Sequence, residues 1–179
     1  LLFALASCSR EQDMGNTGAV GDGETCVKFS IWLPGNNAPT TRALTASNEN
    51  HVQTIDILIF EQGGAWVYNT GCSGSDITTD GGDPLKKSFT IKMRQGSYDM
   101  VMLANARSIV SGMNMSGQSK SAVLAALTVQ MPSGGKWIAD PAAADYKAIP
   151  MCGDVGNVTI NSSTQNLDAQ NIRLTRMLA

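Results

Sequence analysis

The sequence predicts an all-β protein, an antiparallel β-sandwich with Greek-key connections and one short helix. Three observations predict it. Short runs alternate apolar and polar residues or are continuously apolar, turn-forming Gly, Asn and Asp clusters separate them, and only one stretch has helical periodicity. With 179 residues, 42% of them hydrophobic, 16% charged and 18 glycines, the chain has the composition of a globular, loop-rich domain.

The chain opens with Leu1-Leu2-Phe3-Ala4-Leu5-Ala6-Ser7-Cys8. This reads as the end of a signal peptide without its positive n-region. Leu5-Ala6-Ser7-Cys8 has the pattern of a bacterial lipobox, in which an aliphatic residue and two small ones precede a cysteine whose thiol is acylated. The plainer readings are an ordinary cleavage site with an incidental cysteine, or a short buried apolar segment. Acyl chains such as palmitate, at ~0.8 kcal/mol per buried CH₂, would hold Cys8 on a membrane without a transmembrane helix. No later run reaches the ~18 to 20 apolar residues that a span needs. Residues 1–8 are thus read as a truncated lipoprotein signal and 9–24, polar and aperiodic, as a flexible tether of roughly 20 to 25 Å.

Residues 25–179 are read as the β-sandwich. Cys26–Leu33 alternates, with Val27, Phe29, Ile31 and Leu33 on one face and Lys28, Ser30 and Trp32 on the other. Thr54–Phe60 is almost continuously apolar, as in a central strand covered on both faces. Between them, residues 34–48 are rich in loop formers and carry one exposed arginine, Arg42. Glu61-Gln62-Gly63-Gly64 is a hairpin signal, returning along Ala65–Asn69. Residues 70–83 read as a long loop. Calcium at Asp76, Asp80 and Asp83 is the sharper reading, but the spacing lacks the regular alternation and final glutamate of an EF-hand.

Ser88–Met93 and Tyr98–Asn105, joined by a turn at residues 94–97, read as a second hairpin. Residues 121–127 suit the one helix, with Val123, Leu124 and Leu127 toward the sheet and Pro132-Ser133-Gly134-Gly135 ending it. Residues 141–154 read as loop, and 155–160 and 171–176 as the last strands. The chain is expected to stop inside a strand.

Chemistry-bearing motifs are sparse. The formal net charge of −2 provides no basic stripe for nucleic acid. Cys8, Cys26, Cys72 and Cys152 contain no Cys-x-x-Cys pair, and His51 is the single histidine, so neither a zinc site nor a cofactor is expected. Cys72 and Cys152 are candidates for a disulfide in an oxidising compartment. There is no Gly-x-Ser-x-Gly, His-Glu-x-x-His or P-loop, and the expectation is a protein that is not an enzyme, with no catalytic residue. Arg94 and Arg107 read as solvated loop arginines.

The order of these pieces carries a resemblance. A lipobox, a strand, Thr-Arg-Ala before an apolar strand ending Ile-Phe, then Gly-Ser-Tyr-Asp-Met-Val-Met-Leu-Ala-Asn, Ile-Pro-Met-Cys-Gly and Ile-Arg-Leu-Thr-Arg-Met-Leu-Ala resemble the N-terminal domain of a fimbrillin, the shaft subunit of Bacteroidetes type V pili. The resemblance implies a transthyretin-like β-sandwich, exported as an outer-membrane lipoprotein and matured by an arginine-specific protease. It places the cut after Arg42, makes Ala43 the new N-terminus, and makes 25–42 the removable strand and cleavage loop. A strand from a neighbouring subunit's C-terminal region then fills the vacancy, giving a homopolymeric surface fimbria that supports adhesion. Fimbrillins carry a second β-sandwich, expected after Arg176.

Elementary energetics agree with such a switch. Burial of Val27, Phe29, Ile31 and Leu33 at ~1.5 to 3 kcal/mol each gives ~6 to 12 kcal/mol as an upper figure. That rivals the ~5 to 15 kcal/mol net stability of a domain. A tethered first strand has an effective concentration of order millimolar, and a cut removes that advantage. Arg10 is a rival cut site that would remove only the lipid. The alternative function is a lipid-anchored surface protein, pilus anchor or tip adhesin that binds a glycan or host ligand, with Trp32, Trp66, Trp137, Tyr68 and Tyr146 as stacking candidates.

Overall fold

The structure, a computed structural model, describes residues 23–35, 46–80, 82–131, 137–164, 166–167 and 172–177. Cys8, Arg10, Arg42 and Ala43 lie outside the described residues, as does the stretch 132–135 expected to end the helix.

Alternation along the chain produces the first strand where expected, β1 (Glu24–Trp32), and the continuous apolar run produces β2 (Thr54–Glu61). A turn at Gly63, in the left-handed region at φ 66°, returns the chain antiparallel as β3 (Trp66–Ser73). Then follow β4 (Thr78–Asp80), β5 (Asp83–Arg94), β6 (Gly96–Ala104), β7 (Met151–Ile160), β8 (Ile172–Arg173) and β9 (Thr175–Arg176). One sheet has the order β4-β5-β1-β8 and the other β3-β2-β6-β7-β9. All pairings are antiparallel except β1 with β8.

The inner core fills the space between the sheets. Val27, Phe29, Ile31 and Leu33 of the first sheet meet Ile55, Ile57, Ile59, Met100, Met102 and Val158 of the second. β2 also packs on its other face, where Leu58 and Phe60 join Val101 and Leu103 beneath Val110 and Val123. That is why its sequence is apolar at consecutive positions. The covering layer includes α2 (Arg107–Val110) and α3 (Lys120–Ala126), and α1 (Ala46–Glu49) precedes β2. α3 is the helix expected at 121–127. The Ser119 hydroxyl caps it by accepting from the Ala122 N–H at 3.2 Å, and Val123, Leu124 and Leu127 face the sheet.

Several expectations are corrected. Residues 88–93 and 98–105 are not a hairpin: β5 pairs with β1 and β4, whereas β6 pairs with β2 and β7. Only Gln95 separates β5 from β6. That is shorter than the two-residue loop that reverses a hairpin, so the chain bends and changes sheets. A Cβ at Gly96 would fall 2.6 Å from the Tyr98 ring, which keeps this corner to glycine. Residues 70–83 are not one long loop, because they complete β3, form a turn of 3₁₀ helix at Gly74–Asp76 and supply β4. β7 begins at Met151, inside the stretch read as loop, and the last strand is split at Leu174 between the two sheets.

Arg107 is a further correction. It is not a solvated loop arginine: its Nε donates to Asp56 Oδ1 at 2.9 Å and its Nη2 to the carbonyls of Ile55 and Cys72 at 3.2 and 3.0 Å. It neutralises a buried aspartate in the central strand. Asp56 nevertheless has its pKa raised, because burial outweighs the hydrogen bond and charge of Arg107. Asn105, at φ 57°, serves as a polar staple between β2 and β6. Its Oδ1 accepts from the Gln53 N–H at 2.8 Å, while Nδ2 donates to the carbonyls of His51 and Ile149.

Candidate strand-exchange site around β1

β1 lies inside its sheet, between β5 and β8. β5 pairs with every residue from Glu24 to Trp32, and beyond the strand Leu33 N–H donates to the Leu85 carbonyl at 2.8 Å. Phe29 stands opposite Phe89, with their rings stacked at 5.6 Å and 15°. Val27, Phe29 and Ile31 are 0% exposed and Leu33 is 4% exposed, so all four expected groove-filling residues are seated in the core.

One residue of the outward set departs from expectation. Ser30 is buried, its Oγ 3.0 Å from Oγ of Ser88, also buried. The pair satisfies two hydroxyls that would otherwise be stranded. Nothing in the alternation singled it out, because a serine among apolar neighbours reads simply as outward-facing. Trp32 is half-buried with the Lys86 ammonium 4.8 Å from its ring centroid, and Lys28 and Cys26 complete the outer side of the strand.

The far edge of β1 is covered by residues 166–167 and 172–174. Leu167 N–H donates to the Lys28 carbonyl at 2.9 Å, Leu174 N–H to the Trp32 carbonyl at 2.8 Å, and β8 runs parallel beside Ile31 and Trp32. The strand's exit is tied to the start of the next element, since Asn50 Nδ2 donates to the Pro34 carbonyl at 3.1 Å. Arg176 bonds Asn50 Oδ1 at 3.1 Å and pairs with Glu49 at 3.0 Å. These contacts close the fold around β1 without covalent help.

The family model for the major fimbrial subunit protein (FimA) matches residues 28–175 of this chain. The chain belongs to the FimA major fimbrial subunit family. No curated protein sequence matches it significantly. Among solved structures, a fimbrial assembly protein from Parabacteroides distasonis is similar at 12% identity and a TM-score of 0.52, over 86% of this chain and 53% of that one. The C-terminally truncated tip fimbrial protein Mfa3 from Porphyromonas gingivalis is similar at 19% identity and a TM-score of 0.50, over 85% and 48%. At those identities the likeness is one of fold, and this FimA-family chain spans about half the length of the structures it matches.

The remaining candidates of the fimbrial-family chain are dispersed. Tyr68 faces the inner core, where its hydroxyl accepts from Arg94 N–H at 3.2 Å and burial pushes its pKa up. Trp66 packs on the outer cluster and its Nε1 donates to Asn69 at 2.6 Å. Trp137 donates to the Lys147 carbonyl at 2.7 Å and Tyr146 meets His51 Nδ1 at 2.6 Å. These last two aromatics share an open cleft of about 650 Å³ with Gln53 and Lys147, whereas Trp32 is on the other sheet.

Cys72 packs toward the inner core and Cys152 toward the outer cluster, on opposite faces of one sheet, so the two are not bridged. Among the described residues no group of three or more His, Cys, Asp or Glu is placed to hold a metal ion, and no helix is long and apolar enough to cross a membrane.

Proposed function

We propose that this chain is a structural subunit of a cell-surface fimbria, exported as a lipoprotein through Cys8 and assembled by strand exchange after cleavage between Arg42 and Ala43. Its partners in this reading are further pilin subunits, an arginine-specific protease and, before maturation, the membrane. The observation that carries the reading is the seating of β1: an internal strand whose Val27, Phe29 and Ile31, followed by Leu33, are seated in the core, joined to the rest of the domain through the segment that contains Arg42. Membership of the FimA family supports it.

While the chain is whole, β1 is held at high local concentration and an incoming strand competes poorly. After the cut, β1 dissociates and exposes apolar surface together with the backbone groups of β5, which an added strand satisfies. Cleavage also separates the domain from its lipid, so assembly and release from the membrane become one event. The experiment is assembly of the secreted protein against its Arg42→Ala variant. The variant stays monomeric and lipid-attached on this reading, and equal assembly by both would remove cleavage as the switch.

A second reading, a surface protein that binds a glycan, is favoured by the cleft that Trp137 and Tyr146 share. It is tested on a glycan array, where Trp137→Ala abolishes binding if the cleft is the site.

A further inference from the structure

The slot that β1 fills has two hydrogen-bonding walls of different kinds. One is β5, continuous along the whole of β1. The other is made of residues 166–167 and 172–174, which touch β1 at Lys28 and at Ile31–Trp32. Successive residues of a strand turn their backbone polar groups to opposite edges. Leu33 N–H points to β5, whereas the carbonyls of Lys28 and Trp32 point to the second wall. Odd-numbered residues of β1 therefore serve β5 and even-numbered ones the second wall.

That second wall takes its strand hydrogen bonds from β1. In the order β4-β5-β1-β8, β8 is the edge strand and β1 is its partner. Leu167, Ile172 and Leu174 are buried in the same inner core that β1 completes. From Thr175 onward the chain is anchored differently: β9 pairs with β7, and Met177 N–H donates to the Pro150 carbonyl at 2.9 Å. A boundary between two regimes thus falls at Leu174. Before it the backbone bonds to β1, with residues 173–174 also packed over Gly153 of β7, and after it the backbone bonds to the other sheet.

We propose that the wall formed by residues 166–167 and 172–174 opens when β1 leaves and closes again on the strand that replaces it. This deepens the proposed exchange and, for its second half, rests on it. The replacing partner is thereby defined chemically. It is an extended segment that pairs along both edges, antiparallel to β5 and parallel to β8. It is apolar at the positions of Val27, Phe29, Ile31 and Leu33, carries a small hydroxyl opposite Ser88, and is free of proline across the paired stretch.

Native-state hydrogen exchange on the intact chain tests the dependence without any cleavage. Phe29→Ala, which loosens β1 from the core, is expected to speed exchange of the Leu167 and Leu174 amides by the same factor as those of Val27 and Ile31. The Met177 amide is expected to change at least tenfold less. If Leu167 and Leu174 keep their protection while β1 loses its own, or if Met177 accelerates equally, the proposal is overturned.

A second arm uses protein cut at Arg42 and freed of β1, with a synthetic peptide of residues 24–35. N-methylation at Ile31, on the β5 edge, and at Trp32, on the second edge, are each expected to weaken binding at least tenfold. A one-walled slot would tolerate the methyl at Trp32, which would overturn the proposal. Failure of the unmodified peptide to bind would instead count against strand exchange, and the intact-chain exchange rates would still decide the wall.

Discussion

Replacing Phe29 by alanine is expected to be the most damaging single truncation in β1. The ring is 0% exposed and stacked on Phe89 at 5.6 Å, so its loss removes both transfer free energy and a packing partner. Phe→Ala in a core costs about 3 to 5 kcal/mol, of which an aromatic pair accounts for ~0.5 to 1.5. With a urea m-value of roughly 2 kcal/mol/M, the unfolding midpoint should fall by about 2 M. Trp32→Ala is the internal control, since that ring is half-buried beneath Lys86, and a cation–π contact at such a site is worth ~0.5 to 1 kcal/mol. Equilibrium urea unfolding of the two variants, followed by far-UV circular dichroism, decides between them. In the proposed exchange the same 3 to 5 kcal/mol means that the cut strand is held roughly 10² to 4 × 10³ times more weakly. If Phe29→Ala moved the midpoint no further than Trp32→Ala, the odd-numbered residues of β1 would not be seated as described.

Three further outcomes follow from particular contacts. Ser30→Ala leaves the buried Ser88 hydroxyl without its 3.0 Å partner and should cost about 1 to 3 kcal/mol, whereas the Ser30→Ala, Ser88→Ala double variant recovers most of it in a double-mutant cycle. Gly153→Ala places a Cβ 2.7 Å from Leu174 Cδ2 and 2.8 Å from the Arg173 carbonyl, so it should destabilise by about 1 to 3 kcal/mol and speed exchange at the Leu174 amide. Asp56 is held above its ordinary value of 3.8, first by burial, so the folded state binds its proton more tightly than the unfolded state. Its contribution to stability therefore rises as pH falls through the folded pKa and is complete below 3.8, and Asp56→Asn should remove that rise from a urea-unfolding pH profile.

Periodicity made the sheet-facing residues of β1 and β2 legible, because a strand with one buried face alternates and a strand with two does not. Val27, Phe29, Ile31 and Leu33 were readable for that reason, and so was the double coverage of Ile55–Phe60. Pairing was harder to read. A Gly-containing turn between two apolar runs announces a change of direction, but whether the runs pair or part company at Gln95 depends on the length of the connection and the sheet each can reach. Ser30 and Ser88 were invisible as a pair because each satisfies the other across sequence separation, and neither looks unusual alone. The second wall of the slot was hidden for a similar reason. It is held by backbone groups of Leu167 and Leu174, and backbone hydrogen bonds leave no signature in side-chain identity.

Peptide mapping by mass spectrometry of assembled fimbrial material decides most directly whether β1 is a removable part of the subunit. If β1 is removed, the material contains chains beginning at Ala43 and no peptide from residues 24–42. Peptides covering Glu24–Trp32 in amounts equal to those from β2 would contradict it, because assembly would then proceed with the first strand still in its slot.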